Sequence, residues 1–210
     1  DPTLEDPPET FLPHILSLPP KDPEAVITGI DKYCRDYKNW MMNLGNDKSL
    51  IVKDVMEQYK PKSILELGTF CGYSSLVFAS YSKGKVHSFE VNKNYAEMLK
   101  SSLHAGLKEN ISIHLNPIQA EEAFFKDHGP FDMIFIDHEK TLYKPDLIWL
   151  EEHGAIRKGT VVVGDNIIRP GCPDYVQYIK DSKKYNSILY QANLEYRDIP
   201  DAVLVSERIE

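Results

Sequence analysis

The chain predicts an α/β fold, a mostly parallel sheet with helices packed on both faces. Three observations carry this. Apolar runs such as Ile134-Phe135-Ile136 and Val161-Val162-Val163 read as strands covered from both sides. Segments at helical spacing lie between such runs, so strand and helix alternate along most of the chain. The stretch from Ser63 to Ser75 reads as a buried strand, a glycine-bearing turn and a helix start.

The elements follow in order. Residues 1–20 hold Pro2, Pro7, Pro8, Pro13, Pro19 and Pro20, and read as an extended arm with Phe11, Leu12, Ile15 and Leu16 available to dock. Residues 21–210 read as a single domain. Asp22 suits an N-cap and Pro23 a first helical position, and Val26, Ile27, Ile30, Tyr33, Cys34 and Tyr37 then form one apolar face. Trp40-Met41-Met42-Asn43-Leu44-Gly45 has no clean period and reads as a hydrophobic plug or as a lid over a flat ligand. Asn46 or Asp47 would cap a helix running to Tyr59, with Leu50, Ile51, Val55, Met56 and Tyr59 inward. Strands are then expected at 63–67, 85–90, 111–115, 131–137, 160–165, 186–193 and 202–208. Helices are expected at 73–81, 94–105, 121–125, 142–153 and 173–182.

Bulk properties narrow the function. The 210 residues can bury a good core, and a net charge of −8 argues against a nucleic-acid partner. Cys34, Cys71 and Cys172 are an odd count without C-x-x-C pairing, which argues against a disulfide scaffold or zinc site and for a reducing compartment. No apolar run spans a bilayer and no leader pattern opens the chain. A cytoplasmic monomer acting on a small molecule is the expectation.

Ligands of open α/β sheets bind at the carboxyl ends of the strands. At the first such end stands Glu66-x-Gly68-x-x-x-Gly72. Gly68 permits a sharp bend and Gly72 a close backbone approach. The spacing is neither the dinucleotide nor the phosphate-loop pattern. Glu66 would repel a pyrophosphate and suits a cationic ligand, which favours S-adenosylmethionine. Glu90 ends the next strand about eighteen residues after Gly72, where an acid can accept both ribose hydroxyls; it could also be a plain strand-end acid.

Two further strands end in acids, Asp137 and Asp165-Asn166. If the strands are neighbours, three hard oxygen donors converge, a set that suits Mg²⁺. Each acid alone could be a helix cap. Lys140 lies three residues past Asp137, and a lysine beside a dication can act as a general base. His138 could line a cofactor or only satisfy the strand end. Glu195 could accept a hydrogen bond from a substrate hydroxyl or be a surface acid. Cys71 reads as a packing residue.

Together these residues resemble the catechol O-methyltransferase family. The likeness is carried by Leu65-Glu66-Leu67-Gly68-Thr69-Phe70-Cys71-Gly72-Tyr73-Ser74, Met42-Asn43-Leu44-Gly45, Asp137-His138, Asp165-Asn166, Pro170-Gly171 and Leu194-Glu195-Tyr196. It runs from about Pro23 to the C-terminus. It implies a Rossmann-like class I methyltransferase with a seven-stranded, mostly parallel sheet. It further implies that Met42, Asn43, Leu44, Glu66, Gly68, Tyr73, Ser74 and Asp137 contact S-adenosylmethionine. Glu90 would take the ribose, and Gln119 and His138 would lie by the adenine. Asp137, Asp165 and Asn166 would hold Mg²⁺ with both oxygens of a catechol. Lys140 would take the proton from the reacting hydroxyl, and Glu195 a hydrogen bond from the other.

The chain departs from the family where it reads His138-Glu139-Lys140, the family having tryptophan in the middle position. Thr141 and Leu142 replace an acidic and basic pair, and Ile118 a small polar residue. These changes bear on the substrate and open it to a larger, more polar or cationic catechol. Other readings are a caffeoyl-type or natural-product diphenol as substrate, an NAD oxidoreductase, which the glycine spacing disfavours, and a non-catalytic cofactor-binding module.

Overall fold

A computed structural model describes residues 9–36 and 42–210. Tyr37, Trp40 and Met41, placed above in an apolar helix face and a plug or lid, lie outside the described residues.

The arm is not wholly extended. Helix α1 (Phe11–Leu16) buries Phe11 and Ile15, an i, i+4 pair on one face. Pro13 sits in its first turn, where an N–H would have no helical partner. Helix α2 (Pro23–Asp36) starts as expected, with Asp22 Oδ1 accepting from the Ala25 N–H at 3.0 Å. Helix α3 (Gly45–Tyr59) differs from expectation twice. It begins at Gly45 without a side-chain cap from Asn46 or Asp47. Leu50, expected inward, is 60% exposed, whereas Lys48 is fully buried. The buried face runs through Lys48, Val52, Val55 and Met56, because Lys48 has carboxylates to reach beneath it.

The alternation then proceeds through β1 (Ser63–Leu67), α4 (Tyr73–Ser82), β2 (Lys85–Phe89), α5 (Leu99–Ala105), β3 (Ile111–His114), α6 (Glu122–His128), β4 (Met133–Ile136), α7 (Tyr143–Glu152), β5 (Val161–Gly164), α8 (Pro173–Ser182), β6 (Tyr185–Asn193) and β7 (Pro200–Arg208). A 3₁₀ turn at Lys93–Met98 replaces the first half of the helix expected from Asn94.

The strands form one seven-stranded sheet in the order β3-β2-β1-β4-β5-β7-β6. All neighbours are parallel except β7, which runs antiparallel to β5 and β6. One apolar cluster packs α1 to α4 against the sheet, including Val26, Val52, Phe78 and Phe135. The other packs α6 to α8 on the opposite face, including Phe125, Leu147, Tyr175 and Ile134. Strands β1, β4 and β5 are buried throughout but for Ser63, as their apolar runs require.

Register sets up the site. Leu67 pairs with Ile136, and Ile136 with Gly164, so β1, β4 and β5 end level with one another. The strand order changes direction between β1 and β4, a topological switch point where a crevice opens.

Candidate active site

The glycine turn after β1 is tight. Gly68 has φ +98°, and a Cβ there would lie 2.5 Å from the carbonyl oxygen of Asp137. Gly72, at φ +77°, caps α4 in the left-handed region. Glu66 lies fully buried below the turn, its two oxygens taken by the hydroxyls of Ser74 and Ser75. Burial pushes its carboxyl up to about 7, against the pull of those serines. A cation in the crevice would therefore favour its charged form.

Glu90 ties the turn to the end of β2. Its Oε2 accepts from the N–H groups of Thr69 and Phe70 at 3.2 and 3.1 Å, and its Oε1 from those of Val91 and Asn92 at 2.9 and 2.8 Å. The carboxylate thus organises both loops that rim the crevice.

A narrow cleft gathers Met42, Asn43, Leu44, Gly68, Tyr73, Ser74 and Asp137 along its wall. The structure brings together from distant elements most of the residues that the resemblance assigned to the cofactor. Asn43 is fixed by its Nδ2, which donates to the Tyr196 hydroxyl at 2.8 Å. Tyr196 and Tyr73 both donate to Asp31, at 2.5 and 3.0 Å. Asn43 Oδ1 is buried without a protein partner, so the cleft wall carries a free acceptor. Cys71 is buried, and burial pushes its thiol up to about 12, in keeping with a packing role.

Gln119 and His138 meet elsewhere, on Asp146 of α7. Gln119 Nε2 donates to Asp146 Oδ1 at 2.7 Å, and His138 Nε2 lies 2.9 Å from Oδ2. The His138 ring stacks on Tyr143, with centroids 5.3 Å apart.

The acids at the ends of β4 and β5 converge. Lys140 Nζ donates to Asp137 Oδ1 at 2.9 Å and to the Tyr143 hydroxyl at 2.7 Å. That hydroxyl donates in turn to the carbonyl oxygen of Asp165 at 3.1 Å. Asp165 is fully buried; burial, then the neighbouring charge of Asp137, pushes its carboxyl up to about 7. Its Oδ1 is held by Lys48, and its Oδ2 is buried with no protein partner. Asn166 has φ +54°, a left-handed conformation that asparagine tolerates, and its Nδ2 donates to Asp201 at 3.0 Å.

Lys48 is the centre of this region. Its ammonium lies 2.9, 3.0 and 2.8 Å from Asp165, Glu195 and Asp201. Burial works against its charge, but Asp165 and Glu195 outweigh that and hold its proton affinity above the ordinary range. Burial likewise raises the Glu195 carboxyl, with Lys48 opposing.

Among the described residues, no three His, Cys, Asp or Glu side chains form a metal cluster. The expected set is different in kind: two carboxylates and one amide. An orphaned buried Asp165 oxygen beside Asp137 fits a hard divalent cation. Sequence reasoning missed Lys48, Asp146 and Asp201. Lys48 did leave a signal, a lysine at i, i+4, i+7 and i+8 with Val52, Val55 and Met56.

Fold and site define an α/β enzyme of the class I methyltransferase type. The family model described as O-methyltransferase matches residues 24–196. Catechol O-methyltransferase of Mus musculus is 38% identical over 190 residues, covering 88% of this chain and 71% of that protein. Catechol O-methyltransferase of Bos taurus is 33% identical over 202 residues, covering 93% of this chain and 74% of that protein. An O-methyltransferase of Bacillus cereus, solved in complex with SAH, has a TM-score of 0.71 at 19% identity, covering 87% of this chain and 90% of that one, a likeness of fold. The chain belongs to the O-methyltransferase family and is an O-methyltransferase. No helix among the described residues is long and apolar enough to cross a membrane.

Proposed function

We propose that the chain transfers a methyl group from S-adenosylmethionine to one hydroxyl of a catechol, with Mg²⁺ held by Asp137, Asp165 and Asn166. The observation that carries the reading is the 2.9 Å contact between Lys140 Nζ and Asp137 Oδ1, which sets a candidate base against a candidate ion ligand. Bound there, a dication would favour the ionised hydroxyl.

The chain's own residues supply the rest. Lys140, in its neutral form, accepts the hydroxyl proton at Nζ while Tyr143 fixes its position. S-adenosylmethionine, when bound, would supply the methyl group to the substrate oxygen and leave as its thioether. Glu195 accepts a hydrogen bond from the second hydroxyl. The cleft from Met42 to Ser74 holds the methionine end of the donor, Glu90 the ribose, and Gln119 and His138 the adenine edge. Catalysis is then mainly orientation.

A second substrate reading has its own support. Glu139 is exposed where the family has tryptophan, its Oε1 held by the N–H and hydroxyl of Thr141 at 3.3 and 3.2 Å. A charged rim suits a cationic catechol, or a larger diphenol of the caffeoyl type whose tail lies in solvent. A monomer in the cytoplasm agrees with the acidic charge and three buried free thiols.

The test is methyl transfer from labelled donor to neutral, cationic and carboxylated vicinal diols, with and without Mg²⁺. Metal-dependent turnover of at least one diol is expected. No turnover on any of them would overturn the catechol reading.

A further inference from the structure

The Lys48 ammonium has three N–H donors, and the structure spends them on three carboxylates from separate segments. Asp165 follows β5, Glu195 lies between β6 and β7, and Asp201 opens β7. Lys48 itself comes from the first turn of α3, on the other side of the chain's order. Its side chain is completely buried.

The bonds select which atoms remain free. Lys48 takes Asp165 Oδ1, so Asp165 Oδ2 is the buried oxygen left unpartnered. It takes Glu195 Oε1, leaving Oε2 as the other end of that carboxylate. Asp201 takes the Asn166 amide nitrogen, so Asn166 Oδ1 is the end of that amide turned away from Asp201. Asp201 is itself anchored through Oδ1, which accepts from the N–H groups of Ile168 and Arg169, both at 3.0 Å. Stability alone is a poor reason for such a network, since buried ion pairs return little over a well-packed apolar replacement.

We infer that Lys48, with Asp201, is a positioning residue that orients Asp165, Asn166 and Glu195 so that their free oxygens face the divalent cation and the substrate hydroxyl. This rests on the metal reading above. Lys48 touches neither cation nor substrate; it acts through the groups it holds, as outer-shell partners of metal ligands do.

The experiment is direct titration of Mn²⁺, followed by electron paramagnetic resonance, into wild type, K48M, D201N and E151Q. Glu151 is a control: it joins Lys184, Tyr185 and Arg208 around the far ends of β6 and β7. K48M and D201N are each expected to weaken Mn²⁺ binding by about 10- to 100-fold. E151Q is expected to lose stability and keep its Mn²⁺ affinity within about twofold. If K48M does not fold, D201N alone decides, because it keeps Lys48 and neutralises only the carboxylate that Lys48 and Asn166 share. Wild type that binds while K48M or D201N, whichever folds, binds within twofold of it overturns this inference and leaves the metal reading standing. Wild type that fails to bind Mn²⁺ overturns both.

Discussion

The Cβ that Gly68 lacks would sit 2.5 Å from the carbonyl oxygen of Asp137. The last backbone of β1 and that of β4 are therefore as close as glycine allows, and this closeness puts the cofactor turn against the first candidate metal ligand. Gly68→Ala should force the two apart and also strain a backbone at φ +98°. The expected cost is about 3 kcal/mol from overpacking and left-handed strain together. Urea unfolding would read the loss of stability, and titration with S-adenosylhomocysteine the loss of affinity.

Glu90→Gln should uncouple the two loops. One side-chain oxygen becomes an NH₂ that faces two N–H donors, in place of a carboxylate that accepted all four. Stability should fall by about 2 kcal/mol, and donor affinity with it. An unchanged melting temperature would mean that the loops hold themselves without Glu90.

Lys140→Met should lower kcat by about 10² to 10⁴-fold. Lys140 contacts only Asp137 Oδ1 and Tyr143 among the hydrogen bonds described for it, so the fold should persist. Single-turnover methyl transfer together with circular dichroism separates the two effects. Wild-type turnover in the variant would remove Lys140 from the chemistry.

Acid should destabilise the protein through His87. Burial, then the nearby His114, His128 and Lys85, lower its imidazole from 6.5 to about 4. Between those values the unfolded chain binds a proton that the folded chain refuses, so stability falls as pH drops through this window and the contribution levels off below about 4. His87→Phe should flatten this part of the profile. The urea midpoint, followed from pH 7 to pH 4.5, would fall less in the variant than in wild type.

Much of the architecture was legible because apolar runs and helical spacing are local properties. Val161-Val162-Val163 announces a strand buried on both faces, and β5 is that strand. Docking by Phe11 and Ile15 was legible as well, but the helix that carries them was not, since six prolines in the first twenty residues obscure a helix of six residues. Hydrophobicity points Leu50 inward, but it cannot tell which face of a helix has charged partners waiting below it.

The candidate site divides in the same way. Sequence alone identified the residues that end strands: Glu66, Gly68, Glu90, Asp137, Asp165 and Asn166. In a parallel sheet the strand end is where the chain turns and polar groups surface, so a local pattern marks them. Tertiary structure decided which of them meet. Level ends of β1, β4 and β5 join Gly68, Asp137 and Asp165. Lys48 pairs with Glu195 and Asp201 across 147 and more positions of chain. Spacing with Val52, Val55 and Met56 marks the face that Lys48 lies on but not its partners: folding alone carries the lysine where water cannot follow and only carboxylates remain to hold it.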